Sequence, residues 1–303
     1  MQPTSSCPII KTAACARLWN IYWRSNMSEI KLIVTDLDGT FLMGKNVVSE
    51  ENKAAIAAAR KKGIKVCGAT SRCWGTCKRV AEQAGFKDLF VVNNGASILK
   101  APTLERVFTS NLDPDLVEPV LRLAVKYVTN LKTQGFYSTI STWDLVNDWN
   151  REVCTDDGTI FDPMASEYGF LYDDFDAFVE KAVQSRTQII AGNMEHELNN
   201  DFYYDLCGIG DFEFTSAGVK GIEITQRGIN KGSAVRFLAD YYGVKQENVM
   251  CIGDNRNDIP MVSWAGVGVC VENGADALKD VAGYITAPCH ESGFAKAVER
   301  FAL

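Results

Sequence analysis

Asp36 and Asp38 flank a single leucine in the run Asp36-Leu37-Asp38-Gly39-Thr40. Side chains two apart on an extended segment face the same side. One carboxylate can then attack an electrophile or hold a metal while the other moves a proton. The same residues also suit an Asx-type turn, which Asp and Gly favour. Thr70-Ser71-Arg72 offers hydroxyls and backbone N–H groups ahead of a helix, which suits an anion or merely caps the helix. Lys231 stands at the start of a helical pattern, against the sign of the helix dipole. A nearby phosphate would favour it there; the alternative is a solvated lysine. Gly253-Asp254-Asn255-Arg256-Asn257-Asp258 carries two more carboxylates around a turn. These are hard oxygen ligands for Mg²⁺, or the capped start of a helix.

Each cluster follows an apolar run or opens a helix, so the elements around it position it. Residues 30–35 form a short apolar run ending at Asp36. Ser49-Glu50-Glu51-Asn52 then reads as a helix start, Ser49 being the N-cap, and the alanine-rich stretch carries the helix to about Lys62 before Gly63. Residues 64–69 read as a second strand, 74–84 as a second helix and 89–92 as a third strand. The pattern resumes near the end, with a helix at about 233–242, a strand at 249–252, a helix at 257–264 and a strand at 267–271. Such alternation predicts a Rossmann-like parallel sheet with helices on both faces, an α/β core. In open sheets of this kind, sites gather outside the carboxyl ends of the strands, where the four clusters would converge.

Residues 110–227 break the alternation and are rich in aromatics and acids. Helix patterns fall at about 114–130, 173–186 and 195–207, with strands at 187–191, 212–216 and 221–225. This predicts an inserted α+β domain at 110–227, splitting the core into 27–109 and 228–303. Phe136, Tyr137, Trp143, Trp149, Tyr203 and Tyr204 are its candidate sugar-stacking residues, or its core.

Composition narrows the function classes. The chain has 303 residues, 47% hydrophobic and 23% charged, as expected of about two globular domains. A net charge of −7 argues against a nucleic-acid partner, and no apolar run is long enough to span a membrane. The ten cysteines include Cys67, Cys251 and Cys270 inside apolar runs. They read as reduced thiols in a cytoplasmic protein, with Cys73 and Cys77 one helical turn apart for packing. Residues 1–26 are basic and acid-free, and Met27 is followed at once by the first strand pattern. This segment reads as an upstream extension from a misplaced start, with a targeting peptide or a packed arm as alternatives.

The four clusters, in this chain order, resemble the haloacid dehalogenase superfamily, and within it the Cof-type sugar-phosphate phosphatases with a large α/β cap. The resemblance covers about residues 29–303. It rests on Asp-Leu-Asp-Gly-Thr paired with Gly-Asp-x-x-Asn-Asp, and Asn93-Asn94-Gly95-Ala96 is similar to the segment preceding that cap. It implies that Asp36 is the nucleophile, forming an aspartyl-phosphate, and that Asp38 is the general acid and base. It implies that Mg²⁺ is held by Asp36, the backbone carbonyl of Asp38, and Asp254. Thr70, Lys231 and Asn257, with the N–H groups of Leu37 and Ser71, would bind the phosphoryl group, and Asp258 would orient Asn257 or Lys231. Ser71 stands where the family commonly has glycine, and Phe41 where leucine is usual. The implied function is hydrolysis of small phosphorylated metabolites, such as sugar phosphates, by a monomer or homodimer. A phosphomutase or phosphotransferase, or a non-catalytic phosphate-binding regulator, are the alternatives.

Overall fold

A computed structural model describes residues 29–44, 46–101, 103–135, 139–142, 169–172, 174–194, 200–216 and 220–303, without the side chains of 139–142 and 169–172. Residues 1–26, Phe136, Tyr137, Trp143 and Trp149 lie outside the described residues.

The core is a five-stranded parallel sheet in the order β14-β13-β12-β1-β2. Its strands are β1 (Leu32–Thr35), β2 (Lys65–Gly68), β12 (Val249–Gly253), β13 (Val267–Val271) and β14 (Tyr284–Thr286). Ile33 of β1 packs with Ile56 and Ala59 of α1 (Glu50–Lys61), Val80 of α2 (Trp74–Ala84) and Val298 of α9 (Gly293–Phe301). Leu32 and Val34 pack on the opposite face with Val235 and Leu238 of α6 (Lys231–Tyr242) and Val262 of α7 (Ile259–Trp264). Helices therefore cover both faces, which explains why the strands read as continuous apolar runs. Ser49 caps α1 as expected, accepting from the Asn52 N–H at 3.1 Å. The short α8 (Asp276–Lys279), β14 and α9 were not anticipated.

The third strand departs from expectation. β3 (Leu89–Val92) touches the parallel sheet through one bridge, Ala69 to Val91. Its main partner is antiparallel, in a three-stranded sheet with β4 (Ser97–Lys100) and β5 (Arg106–Thr109). The cause is local. Asn93, Asn94 and Gly95 all take positive φ (50°, 53° and 104°), so the chain reverses at once.

The inserted region forms a six-stranded sheet, β10-β11-β9-β6-β7-β8. Its strands are β6 (Val128–Gln134), β7 (Thr139–Thr142), β8 (Gly169–Tyr172), β9 (Ile189–Met194), β10 (Phe212–Thr215) and β11 (Gly221–Gln226). All neighbouring pairs are antiparallel except β7 with β8. Val120 and Leu121 of α3 (Pro114–Ala124), Phe178 of α4 (Phe175–Gln184) and Phe202 of α5 (Asn200–Ile209) cover one face, over Leu131, Ile190, Ile222 and Ile224. The helix expected over 114–130 stops at Ala124, and β6 takes up the chain at Val128. The Val125–Thr129 stretch is rich in β-branched and aromatic residues that favour a pleated strand. The helix expected over 195–207 runs instead over Asn200–Ile209, and residues 195–199 lie outside the described residues.

Candidate active site

Strand register converges the first, second and fourth clusters. Thr35, the last residue of β1, pairs with Gly68 of β2 and Ile252 of β12. The following residues, Asp36, Ala69-Thr70 and Gly253-Asp254, therefore leave three adjacent strands at the same edge. Backbone bonds hold this edge: Asp36 N–H donates to Ile252 O at 2.9 Å, and Ala69 N–H to Thr35 O at 2.8 Å. Gly39 then turns the loop with φ +76°, and a Cβ there would meet Asp254 Oδ2 at 2.5 Å. Glycine thus lets the first loop close onto the fourth, and the Thr40 hydroxyl donates to Asp254 Oδ1 at 2.8 Å.

Lys231 is the first residue of α6 and only 1% exposed. Its Nζ lies 2.6 Å from Asp36 Oδ1 and 2.7 Å from Asp258 Oδ1. Those two contacts outweigh the unfavourable dipole, and the solvated-lysine alternative fails. Asp258 Oδ2 accepts from the N–H groups of Asp254 (2.9 Å) and Asn255 (3.0 Å). Both oxygens of Asp258 are therefore engaged in holding the lysine and the turn.

The site carries excess negative charge. Carboxylate oxygens of Asp36, Asp254 and Asp258 lie within 4.8 Å of one another. Burial pushes the Asp36 carboxyl well above its ordinary range; Lys231 pulls it back, while Asp258, Asp254 and Asp38 push it further up. Burial, then Asp258, raises Asp254 to about 7. Burial would lower Lys231, but Asp258 and Asp36 outweigh it and hold the ammonium firmly protonated. One ammonium does not balance the buried Asp36 and Asp258 and the half-buried Asp254, so this all-oxygen group fits a hard divalent cation. With both Asp258 oxygens engaged, Asp36 and Asp254 each keep Oδ2 outside the bonds to Lys231 and Thr40 to meet such an ion.

The Asp38 side chain stands apart from that group. It is about half exposed (52%) and bonds to Arg72, with Nε donating to Asp38 Oδ2 at 2.7 Å and Nη2 to Oδ1. Arg72 also donates to Asn46 Oδ1 at 2.6 Å and to Thr76 O at 3.3 Å. Burial lowers the Arg72 pKa and Asp38 raises it further, leaving it above its ordinary value. Sequence reasoning placed Arg72 in the second cluster without assigning it a partner. Thr70 is buried, with Oγ1 accepting from Arg72 N–H at 3.1 Å; Ser71 is half-buried and the Leu37 side chain fully buried. The N-cap of α2 is Cys73 rather than Thr70.

Asn257 is buried, and its Nδ2 donates to Glu223 Oε2 at 3.2 Å. Glu223, on β11, also accepts from Asn94 Nδ2 at 2.7 Å and Thr215 Oγ1 at 3.4 Å. Asn93 Nδ2 donates to Gly135 O and Gln188 Oε1, both at 2.8 Å. The face of the inserted sheet that carries Glu223 thus meets the core beside the edge that bears Asp36 and Asp254. Sequence reasoning missed Glu223; its signal was a lone acid between two isoleucines.

Tyr203 and Tyr204 do not join it. They are 49% and 68% exposed on α5, and Tyr203 packs on Phe214 at 6.2 Å between ring centroids. Phe214 pairs with Ile224, on the helix-covered face, whereas Glu223 points to the other. Their reading as sugar-stacking residues is therefore corrected.

Residues 33–298 match the family model for haloacid dehalogenase-like hydrolases. The chain belongs to that family. It is 30% identical over 275 residues to 5-amino-6-(5-phospho-D-ribitylamino)uracil phosphatase YcsE of Bacillus subtilis (strain 168), covering 91% of this chain and 97% of that one. It is 27% identical over 276 residues to YitU, a phosphatase of the same name from the same organism, covering 89% and 97%. Among solved structures, a haloacid dehalogenase subclass IIB sugar phosphatase, BT4131, shares the fold with a TM-score of 0.72 at 20% identity, covering 89% of this chain and 98% of that one. Among the described residues, no helix of this haloacid dehalogenase-type hydrolase is long and apolar enough to cross a membrane.

Proposed function

We propose that this haloacid dehalogenase-type phosphatase hydrolyses hydroxyl-rich phosphate monoesters, sugar or polyol phosphates, through an aspartyl-phosphate on Asp36 and with Mg²⁺. The observation that carries the reading is the buried Asp36–Lys231–Asp258 chain, at 2.6 and 2.7 Å, beside Asp254 at the shared strand edge. Asp36 attacks phosphorus as the ester P–O bond breaks, and Asp38 gives its proton to the departing oxygen. Water then attacks the aspartyl-phosphate, Asp38 takes the water's proton, and inorganic phosphate leaves with Asp36 restored. Lys231, Thr70, Asn257 and the N–H groups of Leu37 and Ser71 hold the phosphoryl oxygens. Asp36, Asp254 and the Asp38 carbonyl would hold Mg²⁺, which when bound offsets the repulsion between Asp36 and the phosphate dianion.

Residues 110–227 serve as the cap that selects the leaving group. The phosphoribityl substrate in the names of two relatives supports a polyol-bearing ester. Cys67, Cys77, Cys207, Cys251, Cys270 and Cys289 are free thiols, which supports a cytoplasmic setting. The test is phosphate release from a panel of hexose, pentose, polyol and triose phosphates, with and without Mg²⁺, for the parent and Asp36→Asn. Turnover requiring both Mg²⁺ and Asp36 is expected. Turnover surviving in Asp36→Asn, or absent from folded parent protein on the whole panel, overturns the reading.

A further inference from the structure

We propose that Glu223 reads the hydroxyl groups of the leaving group, its free oxygen accepting hydrogen bonds from a neutral polyol. The proposal rests on the phosphatase reading above and adds the residue that would give it substrate selectivity. Glu223 is buried on the face of the inserted sheet opposite α3, α4 and α5. Among the described residues, its hydrogen-bond partners, Asn94, Asn257 and Thr215, all meet Oε2. Three donors on one oxygen fix the carboxylate plane and leave Oε1 as the acceptor on offer.

Its place suits a leaving group. Asn257 is assigned to the phosphoryl group, so Glu223 lies one side chain away from it. A carboxylate there repels a second anion and attracts donor-rich neutral groups. The strand register sets its neighbours on that face. Thr215, Glu223, Ala191, Lys132 and Ser141 form one transverse row across β10, β11, β9, β6 and β7. Paired residues share a face, so the small Ala191 separates Glu223 from Lys132, which stands about 10 Å away at two strand spacings.

The experiment pairs esters of equal carbon chain: glycerol 1-phosphate with n-propyl phosphate, and ribitol 5-phosphate with n-pentyl phosphate. The full chain with Mg²⁺ is compared with Glu223→Ala and the near-isosteric Glu223→Gln, with unfolding curves verifying that each is folded. The parent is expected to favour the polyol member in kcat/KM by about tenfold to hundredfold, the size of hydrogen bonds to a charged acceptor. Glu223→Ala should collapse that ratio to within about threefold, and Glu223→Gln should lower it, because the amide presents a donor where the carboxylate accepted. If both esters lose rate equally in the variants, Glu223 acts only by holding Asn257 and the proposal fails. A parent that turns over both esters without preference also overturns it, leaving the phosphatase reading intact. A folded parent that turns over neither ester of either pair overturns both.

Discussion

The two large sheets solve the placement of polar residues in opposite ways. The five-stranded parallel sheet is covered by helices on both faces, so its strands are largely apolar and its polar clusters sit beyond their carboxyl ends. Among the described residues, helices cover one face of the six-stranded sheet, and polar side chains recur at alternate positions of the other, as Glu223, Gln134 and Lys132 do. In the first, function is concentrated in short motifs at strand ends. In the second it is, as proposed, spread over a face, where a glutamate such as Glu223 has the same sequence pattern as a solvated one. On the proposed reading, reaction and selectivity fall on different sheets, and they meet where Glu223 touches Asn257 and Asn94.

Substitutions can test that division. The largest effect should come from the parallel edge: with Asp36 as the proposed nucleophile, Asp36→Asn should lower Mg²⁺-dependent phosphate release by on the order of 10⁴-fold or more. Retention of a tenth of the parent rate would remove the reaction from this edge. Next, Lys231→Met leaves Asp36 and Asp258 buried without their cation. It should cost about 3–5 kcal/mol in denaturant unfolding without divalent metal. Adding Asp258→Asn should restore part of that loss, whereas simple additivity would show that the carboxylates do not share the lysine.

Arg72→Met should lower kcat by about tenfold to hundredfold, because Asp38 loses the guanidinium that orients it. An unchanged rate would make the Asp38–Arg72 pair a surface contact. A smaller effect follows from pH. Folded Asp254 titrates at about 7 against an ordinary 3.8, so the folded chain binds that proton more tightly than the unfolded chain. Its contribution to stability is complete below about pH 4 and is lost as pH rises through about 7. Melting temperature in a chelator should fall across that window, and Asp254→Asn should flatten the fall. Mg²⁺ must displace the same proton, so the Mg²⁺-induced rise in melting temperature should grow as pH increases through about 7. The smallest effect is expected on the outer face of the six-stranded sheet. Tyr204→Ala should leave kcat/KM within about twofold; a larger change would bring α5 into the substrate path.

Legibility followed the same division. Asp36, Lys231, Asp254 and Asp258 could be picked out because each interrupts an apolar run or a helix start, and the structure brings them together. Asn257 and Thr70 lie buried at or near that edge. The reversal after β3 was hidden because apolar residues alone do not separate a parallel from an antiparallel neighbour. The end of α3 was misjudged because Val125, Tyr127 and Val128 also fit a helical period. Tyr203 and Tyr204 looked available for stacking because sequence does not say which face of a sheet a helix will cover.

The sequence by itself determined the α/β alternation, the inserted region and the four polar clusters, because periodicity, caps and motif spacing are local properties of the chain. Tertiary structure alone decided that Arg72 takes Asp38, 34 residues away, and that Glu223 takes Asn94 and Asn257, 129 and 34 residues away. It also decided that Asp258 spends both oxygens on Lys231 and its own turn. Such pairings depend on which strand edges and faces come together, and a carboxylate's partner is set by that geometry rather than by its neighbours along the chain.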